Sequence, residues 1–225
     1  AGTHSCFLMA LSKNIDLLID QAHTAIENAL SLDNIFMPLK DFGYTRSRIQ
    51  AGRKLYQALQ TAQLQQRAAY GNQITATAAL NTAWDNAREA YMPQLKVARI
   101  AFKGDVATAT ELGLKGDRTK SLTRWIAQAN QFYTNALARD AILTGLATFG
   151  ITAKKLRAAQ KTLHALEAAA LTQEQAKATA QRATQTRNLA VKELRAWLSD
   201  FMAIAKIALA QDSQLLESLG IKSVA

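Results

Sequence analysis

Cysteine and proline are the scarcest residue types in this sequence, and their scarcity limits what the chain can form. The 225 residues include one cysteine, Cys6, which excludes an internal disulfide and any zinc site built from cysteines. Two prolines, Pro38 and Pro93, and ten glycines are the main helix-breaking residues. Alanine, leucine, glutamine, lysine and arginine are abundant, and these residues favour helices. The composition therefore predicts an all-α protein.

Long hydrophobic runs are also lacking. The longest candidate, FMAIAKIALA at residues 201–210, contains Lys206 and is shorter than the roughly 20 apolar residues that a membrane-spanning helix needs. The apolar patch near the start has no charged leader before it, so we predict no signal peptide and a cytoplasmic protein. Residues 1–9 are expected to form a separate N-terminal segment, in which residues 1–8 are left from an expression vector and Met9 is the natural start.

The second half of the chain repeats the first at a constant offset of 107 residues. FGYTRSRIQAGRKLYQAL, for example, recurs as FGITAKKLRAAQKTLHAL. Three pairs of segments show the match: 42–59 with 149–166, 97–102 with 204–209, and 112–116 with 219–223. Recurrence over this length indicates a tandem duplication. We predict two helical repeats, residues 10–116 and 117–225, fused into one bundle.

Both repeats keep the pattern Phe-Gly-x-Thr, at residues 42–45 and 149–152. In the first repeat Asp41 precedes it, which gives the Asp-Phe-Gly that binds magnesium in protein kinases. A kinase is nevertheless excluded, because Thr148 replaces Asp41 in the second repeat and no glycine-rich loop or catalytic-loop motif is present. The pattern instead predicts a helix start, in which glycine turns the chain, threonine caps the helix and phenylalanine packs beside it.

Apolar spacing predicts three long helices and one short helix in each repeat. In the first repeat the long helices cover about residues 11–32, 46–70 and 75–102. A turn is expected at Tyr70–Gln73, whereas the second repeat leaves open whether the helix continues there. Pro93 is expected to kink the third helix, and Gly113 to end the short one. Because each apolar seam is narrow, we expect an elongated antiparallel bundle with pseudo-twofold symmetry.

Asp20, His23 and Glu27 are the candidate metal ligands, since helical spacing places them near one face and carboxylates with imidazole bind transition metals. The second repeat lacks all three, which favours their being solvated residues on an exposed helix face. No P-loop, dinucleotide fingerprint or nucleophile motif is present. The sequence therefore predicts a protein that is not an enzyme and has no cofactor.

Basic residues outnumber acidic ones by 27 to 17 and cluster where the second helix of each repeat begins. The first cluster comprises Arg46, Arg48, Arg53 and Lys54, and the second comprises Lys154, Lys155, Arg157 and Lys161. The helix dipole disfavours cations at this end, so helix stability does not explain them. Two explanations remain: neutralisation by carboxylates such as Asp33, Asp41 and Asp140, or binding of a polyanion.

Aromatic residues on helical spacing are expected in the core or at a subunit interface. They are Trp84, Trp125 and Trp197, with Tyr91 and Phe201. A third basic cluster, formed by Arg118, Lys120 and Arg124, adjoins Trp125 in the sequence. Trp125 is therefore as consistent with a stacking platform as with a core residue.

Two functions from different classes fit these features. The first is a non-enzymatic helical scaffold or protein-interaction module, which binds a protein partner or a second copy of itself as a homodimer. The alternative is a basic helical module that binds nucleic acid or another polyanion through the clusters at the second-helix starts. The salt dependence of binding distinguishes the two.

Overall fold

The computed structural model describes the backbone of residues 2–221 and the side chains of residues 14–221, and its regular structure there is entirely helical. Eight helices follow in order: α1 (Gly2–Ser31), α2 (Asp33–Asp41), α3 (Arg46–Ala101), α4 (Val106–Glu111), α5 (Leu122–Ala138), α6 (Asp140–Ala147), α7 (Ala153–Ala208) and α8 (Ser213–Ser218). The prediction of an all-α protein is confirmed. The side chains of the predicted segment 1–9 lie outside the described residues.

The main correction concerns α3, which continues through the turn predicted at Tyr70–Gln73. The predicted second and third helices are one helix of 56 residues, and α7 has the same length. The prediction of three long helices per repeat is therefore wrong. Gly71 costs a helix only about 1 kcal/mol relative to alanine, which good helix formers on both sides outweigh. Pro93 also lies inside α3 without ending it.

Helix boundaries in the second half follow those of the first at the offset found in the sequence. Both α7 and α8 begin and end 107 residues after α3 and α4 respectively. The ends of α1 and α5, at Ser31 and Ala138, are separated by the same distance. Equivalent positions of the two halves therefore adopt the same local structure.

The turn before each long helix follows from glycine and threonine. Gly43 has φ +82°, in the left-handed region that favours glycine. Thr45 caps α3, because its Oγ1 accepts a hydrogen bond from the Arg48 backbone N–H at 3.3 Å. Gly150, with φ +75°, and Thr152 take the same roles at α7. The predicted helix start is confirmed for glycine and threonine.

The phenylalanines of the same pattern do not pack beside the helix. Phe42 and Phe149 are 47% and 51% exposed. The buried positions are those two residues later, Tyr44 and Ile151, which are only 1% and 6% exposed. The prediction for phenylalanine is wrong because the left-handed glycine redirects the chain and turns the following side chain inward instead.

The chain divides into two compact units, each of which combines residues from both halves of the sequence. Unit 1 comprises residues 1–69 and 179–225, and unit 2 comprises residues 70–178. The core of each unit contains residues from α3 and α7 together with shorter helices. The division falls within α3 and α7, and it does not coincide with the boundary between the sequence repeats at residues 116 and 117.

The aromatic residues lie in these two cores. Tyr91, Trp125 and Phe201 are at most 3% exposed, as predicted for core residues. Trp84 in unit 2 and Trp197 in unit 1 are only partly buried. Burial of such large rings is among the largest hydrophobic contributions to each core.

Candidate anion-binding site

Arg46, at the start of α3, is committed to contacts inside unit 1. Its Nη1 donates to the Leu30 carbonyl at 2.9 Å, and its Nη2 lies 3.3 Å from the Asp33 carboxylate. Its guanidinium also lies 4.3 Å from the centroid of the Phe36 ring. Arg46 therefore connects α3 to the end of α1 and to α2.

Two more cations of the first cluster have internal partners. Arg53 donates to both carboxylate oxygens of Glu27, with the Nε contact at 2.9 Å. The guanidinium of Arg48 lies 4.1 Å from the Tyr44 ring centroid. Lys54 is exposed and has no ion pair within the described side chains. The first cluster thus mainly stabilises unit 1, as the neutralisation explanation requires.

The second cluster, in unit 2, differs. Lys154, Arg157 and Lys161 are exposed, and among residues 14–221 no carboxylate lies within ion-pairing distance of them. Their spacing of three and four residues places them on one side of α7. We call these three residues the α7 basic face. Lys155 is not part of it, because its Nζ donates to the Gly150 carbonyl at 2.8 Å.

The difference between the clusters has a cause in the sequence. The positions equivalent to Glu27 and Arg53 hold Thr134 and Gln160, so the bidentate ion pair has no counterpart in unit 2. The residues of the α7 basic face correspond to Ser47, Gln50 and Lys54 of the first repeat, so two of its three cations have no basic counterpart there. The repeat therefore conserves helical structure while the two clusters differ in their contacts.

The metal candidates Asp20, His23 and Glu27 are not assembled into a binding site. Both carboxylate oxygens of Glu27 accept from Arg53, and the His23 ring stacks on Tyr56 with a centroid distance of 5.5 Å. Over residues 14–221, no group of three or more His, Cys, Asp or Glu side chains is placed to hold a metal ion. Helical spacing alone could not reveal that Glu27 faces an arginine.

Part of the third basic cluster lines a cavity of about 530 Å³ in unit 2. Its wall includes Trp84 and Trp125, and its basic residues are Arg88, Arg118 and Lys120. One carboxylate also lines it, so the lining has a net positive charge. Sequence reasoning had placed two of these cations near Trp125 but had not found the cavity.

Arg88 and Met92 also line the cavity and were not predicted from the sequence, because they come from α3, which is distant along the chain from the basic cluster near Trp125. Trp84, Arg88 and Met92 are each four residues apart on α3, which places them on one face. That pattern was the available signal, but it lies about thirty residues before the loop that completes the cavity. Arg124, a predicted member of the cluster, is exposed and does not line the cavity.

The loop between α4 and α5 is held by arginine side chains. Arg99 donates to the Leu114 carbonyl at 2.8 Å, and Arg118 donates to the Gly113 carbonyl at 2.6 Å. The Nε of Arg118 is buried without a hydrogen-bond partner in the described part of the chain. The pKa of Arg118 is lowered, mainly by burial and also by nearby Arg99, while nearby Tyr91 acts in the opposite direction. A desolvated guanidinium of this kind favours an anion beside it.

The helices of the described region include none that combines the length and the apolar character required to cross a membrane. Interpretation of the site therefore depends on its geometry and charge. A scan of the chain against protein-family models finds no match, and no curated protein or solved structure matches it either.

Proposed function

We propose that this chain is a non-enzymatic helical interaction module that binds a polyanion, with nucleic acid as the class to test, through the α7 basic face. The observation that supports this is the exposure of Lys154, Arg157 and Lys161 on one side of a helix, with no carboxylate of the described side chains paired to them. The equivalent helix start in unit 1 has its arginines occupied internally.

The charge of unit 2 supports the same proposal. It contains fourteen basic and eight acidic residues, so it contributes six of the ten net positive charges of the chain. Lys154 also lies in the first turn of α7, where the positive end of the helix dipole adds to its field. A phosphate backbone that contacts three cations releases about three counterions, which makes binding strongly salt-dependent.

A protein scaffold or homodimer is the second candidate, and exposed apolar side chains favour it. Leu171 and Ile74 in unit 2 are 62% and 56% exposed. Leu64 and Leu189 in unit 1 are 66% and 57% exposed. Such side chains suit packing against a protein partner or a second copy. Sedimentation equilibrium of the native chain and of Leu171→Gln tests this candidate, since a dimer held through Leu171 dissociates in the variant.

We infer further that the two halves arose by tandem duplication and form antiparallel helical bundles related by a pseudo-twofold axis. The constant offset of 107 residues in sequence and in helix boundaries supports the duplication. A cytoplasmic location belongs to the same proposal and rests on the composition alone.

Fluorescence anisotropy of labelled single-stranded and duplex oligonucleotides tests polyanion binding. We expect Lys154→Gln/Arg157→Gln/Lys161→Gln to weaken duplex binding at low salt by at least about tenfold. The matched control is Arg182→Gln/Lys192→Gln/Arg195→Gln, which removes the same charge from exposed residues of the same helix. Equal losses in both variants would mean that only net charge matters, and no binding at low salt would remove the proposal.

A further inference from the structure

The cavity in unit 2 has an aromatic wall suited to a planar ring. The rings of Trp84 and Trp125 lie with centroids 4.7 Å apart at an interplanar angle of 55°. Trp125 is 3% exposed and also contacts Tyr91 edge-on at 5.3 Å, which fixes its position in the core. Trp84 is only partly buried, so the supported indole pair presents ring surface to the cavity.

Cations at the same cavity are suited to an anionic group. Arg88 and Lys120 are exposed and have no hydrogen bond or ion pair within the described side chains. Arg118 is oriented by its bond to the Gly113 carbonyl, and its Nε remains buried and unpaired. Asp117 is the one carboxylate that the described residues contribute to the lining. The bond to the Gly113 carbonyl gives Arg118 a structural role in the loop. No such bond among the described residues accounts for the presence of Arg88 and Lys120 in the lining of the same cavity.

The size of the cavity agrees with a small organic ligand. Its volume of about 530 Å³ lies within the range of roughly 300 to 1,000 Å³ that is typical of ligand pockets. Indole rings stack on nucleobases, and guanidinium and ammonium groups bind phosphate oxygens. A planar ring that carries phosphate satisfies both parts of the lining at once.

We propose that this cavity binds a nucleoside phosphate. The base stacks on Trp84, supported by Trp125, and the phosphates contact Arg88, Arg118 and Lys120. This site is separate from the α7 basic face, so failure of one proposal leaves the other standing. The same chemistry is offered by a free nucleotide and by the end of a single-stranded oligonucleotide, and the experiment includes both.

Tryptophan fluorescence during titration with ADP tests the site. In Trp197→Phe, the two remaining tryptophans, Trp84 and Trp125, both line the cavity. We expect saturable quenching, with adenosine and pyrophosphate each binding at least about tenfold more weakly than ADP. The native chain is titrated in parallel, where Trp197 adds a constant background and the midpoint is unchanged. The test therefore does not depend on whether Trp197→Phe alters the protein.

Matched variants assign the phosphate contacts. Arg88→Gln/Lys120→Gln is expected to weaken ADP binding by at least about tenfold, whereas Lys96→Gln/Lys115→Gln is expected to stay within about twofold. The control pair is exposed, lies in unit 2 and does not line the cavity.

Several outcomes overturn the proposal. Absence of quenching at millimolar ADP, equal weakening in the two double variants, or pyrophosphate binding as tightly as ADP would each do so. A short single-stranded oligonucleotide is tested as a competitor of ADP. Competition in the native chain, with weak binding to Arg88→Gln/Lys120→Gln, supports the site and identifies the end of a nucleic-acid strand as the ligand.

Discussion

Arg53, near the start of α3, donates to both oxygens of Glu27, whereas the three residues of the α7 basic face contact no carboxylate in the described part of the chain. The two helix starts occupy equivalent places in the repeat and both are basic. The difference teaches that a count of charges does not define a binding surface. What matters is whether a neighbouring helix supplies a carboxylate, as α1 does for Arg53, and the corresponding positions in unit 2 hold Thr134 and Gln160.

The largest expected effect on stability comes from removing the internal cations of unit 1. Arg46→Gln/Arg53→Gln should lower the free energy of unfolding by about 2 kcal/mol, because a bidentate ion pair and a bond to the Leu30 carbonyl are lost. The loss of stability is no larger because these side chains are partly exposed and solvent screens their charges. Urea unfolding measures it.

The matched substitution in unit 2 sharpens that comparison. Lys154→Gln/Arg157→Gln should change the free energy of unfolding by less than about 0.5 kcal/mol, as expected for exposed residues without partners. Equal losses of stability in the two double variants would contradict the assignment of the first cluster to internal contacts.

A smaller effect is expected from packing at Gly52 in unit 1. A Cβ there would overlap the Trp197 ring. Gly52→Ala should therefore lower the free energy of unfolding by about 1 kcal/mol, because overpacking outweighs the gain in helix propensity. The equivalent residue in unit 2 is Ala159, which shows that the helix itself accepts alanine. A rise in stability on thermal unfolding of the variant would show that Trp197 moves away without cost.

Buried tyrosines give an effect of similar size but opposite sign, and again distinguish the units. The hydroxyls of Tyr91 and Tyr133 in unit 2 are buried without a hydrogen-bond partner among residues 14–221, whereas the Tyr44 ring in unit 1 contacts Arg48. Tyr133→Phe should raise the free energy of unfolding by about 1 kcal/mol, since it removes an unsatisfied polar atom. Chemical denaturation that shows a loss instead would indicate a hidden partner for the hydroxyl.

Burial of the same tyrosines should make the stability of the protein depend on pH. Burial is the main cause that raises the pKa of both Tyr91 and Tyr133. A raised pKa means that the folded state favours the neutral phenol, so this contribution is complete below about pH 10 and is lost as pH rises further. We expect the melting temperature to fall above that pH, and to fall less in Tyr133→Phe than in the native chain.

Local features of the fold were predictable from the sequence. The helical content follows from composition, and the turns at Gly43 and Gly150 follow from residues that act within a few positions of themselves. The continuation of α3 past Gly71 was not predictable in the same way. One glycine is a weak signal, and its outcome depends on the helix formers on both sides and on tertiary packing.

The candidate sites were predictable only in part, because their contacts join residues distant in sequence. Glu27 and Arg53 are 26 residues apart, so their pairing depends on how α1 packs on α3. Trp84 and Trp125 meet across an even larger separation. The sequence identified each basic cluster, but only the packed structure distinguishes occupied cations from free ones.

The salt dependence of duplex binding tests the central claim most directly. Between about 50 and 200 mM salt, binding through three phosphate contacts should weaken roughly 40-fold, since the slope of log affinity against log salt is about −2.7. We predict that the slope of Lys154→Gln/Arg157→Gln/Lys161→Gln is near zero, whereas Arg182→Gln/Lys192→Gln/Arg195→Gln retains the native slope. Equal slopes in all three proteins would contradict the claim that the α7 basic face binds the polyanion.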